Sequence, residues 1–237
     1  MPGRMDANQL ALVRGIDDTK LTLAEWNRAP WKALRPWLLW SVAVALTLLL
    51  AVWVIASLTQ PDITRLVVPG INGEASLGDV GHLLYRNSLV LALHAMACVA
   101  GFMAGSSIPE IAKSHTGLSR WVHEKAGPLA IGFVVCATAF SLSTQAYLLG
   151  SAASTIASQF GISSGELILL LLPHALPELT ALFLPLAAWV IASRQERWNE
   201  LLAATIVTVA IAVPTLVVAA FTEVYFTPHL ILAAIGQ

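Results

Sequence analysis

One stretch decides the fold of this chain: Glu166-Leu-Ile-Leu-Leu-Leu-Leu-Pro173-His174-Ala-Leu-Pro177-Glu178-Leu-Thr-Ala181. His174 and Glu178 are four residues apart, so their side chains share one face of a helix. Ionisable side chains are costly in the hydrocarbon core of a bilayer, and they usually face a protein interior or an aqueous cavity. The stretch therefore predicts a membrane-spanning helix with a polar site in its middle.

The composition predicts several such helices. Hydrophobic residues make up 57% of the chain and charged residues 11%. Several apolar stretches approach the length of about 20 residues that a helix needs to cross a bilayer. We therefore expect an all-α transmembrane helix bundle with five spans, at residues 36–58, 83–103, 128–149, 167–192 and 201–221. The first span should stay attached as an anchor, because its apolar run exceeds the roughly 7 to 15 residues of a cleaved signal peptide.

The distribution of Lys and Arg predicts the orientation. Eleven of them fall in the N-terminal segment and in the connections after the second and fourth spans, whereas only Arg65 and Arg86 fall on the other side. The cytoplasmic side of a membrane protein carries the excess of positive charge. We expect a multi-pass protein of the cell membrane with its N-terminus in the cytoplasm and its C-terminus outside.

The polar parts of the chain are short. Residues 1–35 form a predicted cytoplasmic segment with a helix over residues 17–34 that lies on the bilayer surface or docks there, and residues 36–237 form the transmembrane domain. Residues 59–82 are rich in Pro and Gly, which predicts an ordered surface loop. Residues 150–165 are uncharged and Ser-rich, and we expect them to lie along the outer face or to dip into the membrane.

Two patterns concern helix packing. Proline removes a backbone donor and clashes with the preceding turn, so Pro173 and Pro177 predict that the fourth span is bent or broken near His174. Ala97, Gly101 and Gly105 form a small-x-x-x-small series on the second span. Such a series lets helices approach closely, either within one chain or in a homo-oligomer.

The intramembrane polar residues form the candidate site. With a rise of about 1.5 Å per residue, His174 and Glu178 lie roughly 12 and 18 Å along their span, and His94 lies about 16 Å along the second span. These three side chains are expected to meet at one level of the membrane. Asn87 and Glu223 complete the predicted core polar network.

Three interpretations of this network remain open. It is a buried hydrogen-bond network in which His174 and Glu178 satisfy each other, or it is a proton or ion relay. Alternatively, His94, His174 and Glu178 hold zinc with one open position for water, the ligand set of a catalytic metal site. No other cofactor is expected. The chain lacks the motifs of ATPases, zinc peptidases and serine hydrolases, and its net charge of −1 without a basic run argues against nucleic acid as a partner.

Two segments resemble the stage II sporulation protein M family of bacterial integral membrane proteins. The family hallmark is a His-Gly-x-x-Glu-Leu-x-Ala segment followed later by a Glu near the end of the last large span. The matching residues are His174, Glu178, Leu179, Ala181, Glu223, Thr227 and Pro228, and Asn87 resembles an Asn of the family. Ala175 departs from the pattern, because the family has Gly there.

The resemblance covers roughly the second to fifth spans, and it implies a membrane protein that works with cell-wall remodelling enzymes. We therefore expect a non-enzymatic scaffold or gating component of an envelope complex. It would lie in the lipid bilayer and associate with other envelope membrane proteins. These partner proteins would bind the N-terminal segment or the outer loop. An ion- or proton-coupled transport protein and an intramembrane metal-dependent hydrolase are the alternatives.

Overall fold

The chain folds almost entirely into helices in a computed structural model, which describes residues 7–107 and 117–236. Helices account for 86% of the described residues, which contain no strand. This confirms the predicted all-α fold. The α-helices are α1 (Ala7–Arg28), α2 (Pro30–Leu58), α3 (Leu77–Phe102), α4 (Gly117–Phe160), α5 (Ser164–Arg194), α6 (Leu201–Phe221) and α7 (Thr227–Ala234). Two π-helical segments, Met103–Ser107 and Thr222–Phe226, and a 3₁₀ turn, Trp198–Glu200, extend them.

The N-terminal helix ends earlier than the sequence pattern indicated. α1 ends at Arg28, and α2 begins at Pro30, so the helix predicted over residues 17–34 is divided at Ala29. Proline is favoured in the first turn of a helix because its missing N–H would be unsatisfied there anyway. The two helices still touch, since the rings of Trp26 and Trp37 meet edge to face with centroids 5.0 Å apart.

Four helical stretches of the described residues are long and apolar enough to cross a membrane: Pro30–Leu58, Leu77–Gly105, Ser164–Arg194 and Trp198–Ala234. They contain the predicted first, second, fourth and fifth spans. The predicted third span falls within α4, which is not among the four, so the count of five spans stays a prediction. The orientation also stays a prediction, and Lys113, one of the basic residues behind it, lies outside the described residues.

The structure gives residues 150–165 a defined secondary structure, whereas their predicted position, along the outer face or dipping into the membrane, stays a prediction. α4 continues as a helix to Phe160, and only residues 161–163 connect it to α5. The small residues of this segment serve close helix packing. A Cβ atom on Gly150 would lie 2.6 Å from Ile55 Cγ2, and Ala153 and Ala157 are buried in a core with Val52.

α5 passes through its prolines without interruption. Pro173, Pro177 and Pro185 all lie within the continuous helix Ser164–Arg194. The predicted break is therefore absent from the helix, while the predicted bend stays a prediction. Proline is tolerated inside membrane helices where neighbouring groups satisfy the carbonyls that it leaves without a partner.

The helices divide into two compact units. The first unit consists of Met1–Trp40, Ala92–Ala137 and Leu184–Ala210, and the second consists of Ser41–Leu91, Thr138–Phe183 and Ile211–Gln237. Each of the helices α2 to α6 contributes residues to both units.

The small-residue series of α3 packs inside the first unit. A Cβ atom on Gly101 would lie 2.6 Å from Trp189 Nε1 and 2.8 Å from Leu201 Cδ1, and a Cβ atom on Gly105 would collide with the Trp198 ring. Ala97 is buried in the same cluster. The glycines therefore allow close approach within one chain, and the homo-oligomer stays a prediction.

Candidate functional site

A cavity of about 530 Å³ lies in the second unit. This volume is in the range of about 300 to 1,000 Å³ that is usual for small-molecule sites. Helices α2 and α4 line it with apolar side chains, among them Val52, Ala153 and Ile156, whereas α3, α5 and the C-terminal helices supply ionisable side chains. The cavity thus has an apolar wall and a polar wall.

α3 contributes Asp79, His82 and Arg86 to the polar wall. The spacing of three and four residues places all three on one helix face. The Asp79 carboxylate caps the start of α3, because it accepts hydrogen bonds from the Ser76 backbone N–H at 2.9 Å and from the Ser76 hydroxyl at 2.6 Å. His82 and Arg86 are exposed, and Arg86 makes no hydrogen bond or ion pair within the described part of the chain.

α5 contributes His174 and Glu178, which share one face of the helix and line the same cavity. The partner of His174 is not Glu178, as one interpretation of the sequence expected. Instead, His174 Nδ1 is hydrogen-bonded at 2.8 Å to the hydroxyl of Thr227 at the start of α7. Both residues are buried, with 6% and 3% of their surfaces exposed. This bond links α5 to the C-terminal helices.

Glu178 and Glu223 form an acidic pair on the polar wall. Both are half-buried, both line the cavity, and they are close enough to repel each other. The Arg86 guanidinium attracts both carboxylates. The Asn87 side chain lies near Glu178. Its buried Nδ2 nevertheless makes no hydrogen bond of acceptable distance and angle within the described part of the chain. The pair thus depends on Arg86 for partial charge compensation.

A π-helical segment presents Glu223 to the cavity. It covers Thr222–Phe226, between α6 and α7. A π-helical turn holds one more residue than an α-helical turn, and such segments are frequent at functional sites. Glu223 lies within the segment and Thr227 directly after it, so this turn positions both the acidic pair and the partner of His174.

The loop 59–76 forms a further wall, through Val67, Val68 and Pro69. It is shorter than predicted, because α3 already begins at Leu77. Gly70 has a φ of +79°, and a Cβ atom there would lie 2.8 Å from Pro228 Cγ. Only glycine combines this backbone conformation with such close approach. The loop is therefore packed directly against α7.

The structure assigns the five predicted network residues to different units. His174, Glu178, Asn87 and Glu223 belong to the second unit, whereas the buried His94 belongs to the first. Among the described residues, no group of three or more His, Cys, Asp or Glu side chains could hold a metal ion. The zinc site of His94, His174 and Glu178 stays a prediction, which metal analysis of purified protein beside His174→Ala tests.

Four residues of the site were not predicted from the sequence: Asp79, His82, Arg86 and Thr227. The spacing of three and four residues between Asp79, His82 and Arg86 is the signal that could have identified the first three. Thr227 was noted only as part of a motif, because a neutral hydroxyl 53 residues from His174 carries no sign of its partner.

The family model for Stage II sporulation protein M matches residues 40–228. The chain belongs to this family. The matched region contains His174, Glu178, Glu223 and Thr227, and all four line the cavity. No curated protein and no solved structure matches the chain. The match of the family model confirms the family resemblance, and the chain is a helical membrane protein of the Stage II sporulation protein M family.

Proposed function

We propose that this family member is a non-enzymatic scaffold of an envelope complex and that the loop 59–76 docks a partner protein. The observation that carries the proposal is a loop with a fixed backbone and an exposed apolar side chain. Hydrogen bonds from α4 keep the loop in place, and the Ile63 side chain of the loop is exposed.

Side chains of α4 hold the loop backbone. Ser154 donates a hydrogen bond to the Thr59 carbonyl at 2.8 Å, and the Asp62 backbone N–H donates to Thr155 Oγ1 at 3.1 Å. Within the loop, the Thr64 backbone N–H donates to the Asp62 carboxylate, and this bond lowers the pKa of Asp62 below its ordinary value. An ordered loop loses less conformational entropy on binding than a disordered one, so it supports tighter association.

Ile63 is the candidate anchor of the docking surface. Its side chain is 99% exposed, and the charged residues Asp62 and Arg65 are close to it in the sequence. Binding energy in protein interfaces concentrates in a few apolar or aromatic anchors within a polar rim. Ile63 with its charged neighbours has this arrangement.

Site-specific photo-crosslinking in native membranes tests the docking. A crosslinker placed at Arg65 should capture a discrete partner, and Ile63→Asp should lower its yield about tenfold at unchanged protein level. Gln60→Asp adds the same charge at an exposed position of the same loop, and it should retain most of the crosslink. Equal losses in both variants, or no discrete partner at position 65, would contradict the proposal.

The second candidate is a proton- or ion-coupled transport protein, which the acidic pair Glu178 and Glu223 in the cavity favours. Intramembrane carboxylates are typical of proton relays and ion pathways. Purified protein in liposomes should then conduct protons or cations, and Glu178→Gln should abolish the flux in folded protein. Liposomes with and without the protein that leak equally would refute this candidate.

A further inference from the structure

We propose that the cavity of the second unit binds an amphipathic zwitterion: a molecule with an ammonium group and an anionic group close together, and with an apolar body. This binding site goes beyond the proposed scaffold function and does not depend on it. The inference rests on the size of the cavity, on its apolar wall and on the two kinds of charge along its polar wall.

The apolar wall determines the body of the ligand. Val52 and Ala153 are buried residues of the local core, and Ile156 and Leu171 extend the same wall. Removing apolar surface from water contributes roughly 25 cal/mol per Å². A hydrocarbon or aromatic body would cover this wall, whereas a bare ion would leave it hydrated. The volume of about 530 Å³ also accommodates far more than an ion.

Arg86 is the residue that would bind the anionic group of the ligand. Its guanidinium is exposed at the cavity and has no hydrogen-bond or ion-pair partner in the described part of the chain. A guanidinium presents its donors in a planar fork that matches carboxylate and phosphate groups. His82 lines the cavity one turn earlier on the same helix face, and it offers a second donor.

The acidic pair, Glu178 and Glu223, would bind the ammonium group of the ligand. Glu178 and Glu223 repel each other across the polar wall, and Arg86 is the cation that attracts both. Two neighbouring carboxylates in a half-buried place can both be charged only where cations compensate them, because unpaired charge is costly there. A ligand ammonium group between the carboxylates would provide such compensation in addition to Arg86.

The proximity of these groups favours a ligand whose two charges lie close together. Arg86, Glu178 and Glu223 line one cavity, and Arg86 interacts electrostatically with both carboxylates, so one ligand with neighbouring anionic and ammonium groups can serve all three side chains. An α-amino acid with a large apolar side chain has this chemistry, and so does the headgroup of phosphatidylethanolamine. The shared feature is the compact zwitterion on an apolar body.

Two probes distinguish these sources, both measured on the full chain. For the amino acid, calorimetry on detergent-purified protein compares L-phenylalanine with 3-phenylpropionate, which lacks the ammonium group, and with phenethylamine, which lacks the carboxylate. For the lipid, native mass spectrometry compares phosphatidylethanolamine with phosphatidic acid of the same acyl chains. We expect saturable binding of one zwitterion, about tenfold tighter than that of its single-charge analogues, because each missing group leaves a site residue unpaired.

Variants locate the binding. Arg86→Gln and the double variant Glu178→Gln with Glu223→Gln should each weaken binding at least about tenfold. Arg65→Gln and Glu74→Gln remove the same charges from the loop 59–76 and should leave binding unchanged. Binding of neither zwitterion, equal binding of the single-charge analogues, or equal loss in Arg65→Gln would overturn the proposal. The comparison of analogues uses unmodified protein, so it decides the matter even where a variant fails to fold.

Discussion

The side-chain amide of Gln159 holds the backbone of Leu66 at both of its polar groups. Gln159 Oε1 accepts the Leu66 N–H at 3.0 Å, and Gln159 Nε2 donates to the Leu66 carbonyl at 3.0 Å. The two residues are 93 positions apart, so this contact joins α4 to the middle of the loop 59–76. It closes the loop in the way that a neighbouring strand would.

Gln159→Ala removes both bonds and should loosen the loop. Each hydrogen bond contributes about 0.5–1.5 kcal/mol, so opening of the loop should become about 1–3 kcal/mol easier. Hydrogen exchange at Leu66 and its neighbours should accelerate correspondingly. Ser158→Ala, at the exposed neighbouring position, is the control. Unchanged exchange in Gln159→Ala would show that the loop is held elsewhere.

Alanine variants of Gly70 and Gly161 separate the cost of backbone strain from the cost of overpacking. The φ values of the two glycines are +79° and +69°, but only Gly70 has a neighbour, Pro228, where a Cβ atom would lie. Both alanine variants should lose about 1–2 kcal/mol for the left-handed backbone. Gly70→Ala should lose about 1–3 kcal/mol more from overpacking, as measured by thermal unfolding in detergent. Equal losses would show that the loop is not packed against α7.

Thr227→Val tests the link between α5 and α7. It replaces the hydroxyl with a methyl group of similar size and leaves the buried His174 Nδ1 without its partner. The expected loss of unfolding free energy is about 1–3 kcal/mol. Thr215→Val is the control, because the Thr215 hydroxyl bonds only the Ile211 carbonyl of its own helix. A Thr227→Val variant as stable as this control would argue against the His174–Thr227 bond.

Gly101→Ala tests the packing of the small-residue series. The added Cβ would collide with Trp189 and Leu201, so we expect a loss of about 1–3 kcal/mol in unfolding free energy without a change of oligomeric state. Gly81→Ala lies on the same helix in open space, and it should be neutral or stabilise the helix by up to about 1 kcal/mol. A change of mass by light scattering in Gly101→Ala at unchanged stability would instead indicate a face between chains.

Hydropathy and residue spacing were enough for the helices and for part of the site. Apolar length located the spans of α2, α3, α5 and α6, and the four-residue spacing placed His174 and Glu178 on one cavity-lining face. Local patterns of this kind follow from the helix itself. They contain no information about which distant residue completes a hydrogen bond, so the role of Thr227 as the partner of His174 could not be predicted.

The helical state of residues 150–160 could not be predicted for a related reason. Small, uncharged and Ser-rich composition is typical of loops, but the same residues suit a helix packed closely against another one. Gly150 and Ala153 are needed small because Ile55 and Val52 lie against them. Composition alone does not distinguish these cases, since the deciding neighbour is about a hundred residues away in the sequence.

The π-helical segment Thr222–Phe226 makes the length of this part of the chain as important as its residue types. Each residue of a helix turns the following ones by about 100°. Deleting one residue between positions 222 and 226 would therefore rotate Thr227 and Pro228 away from His174 and Gly70, while every side chain of α7 stayed chemically the same. The rotation of α7 about its own axis is therefore a determinant of the site. The extra residue of the π-helical turn fixes this rotation.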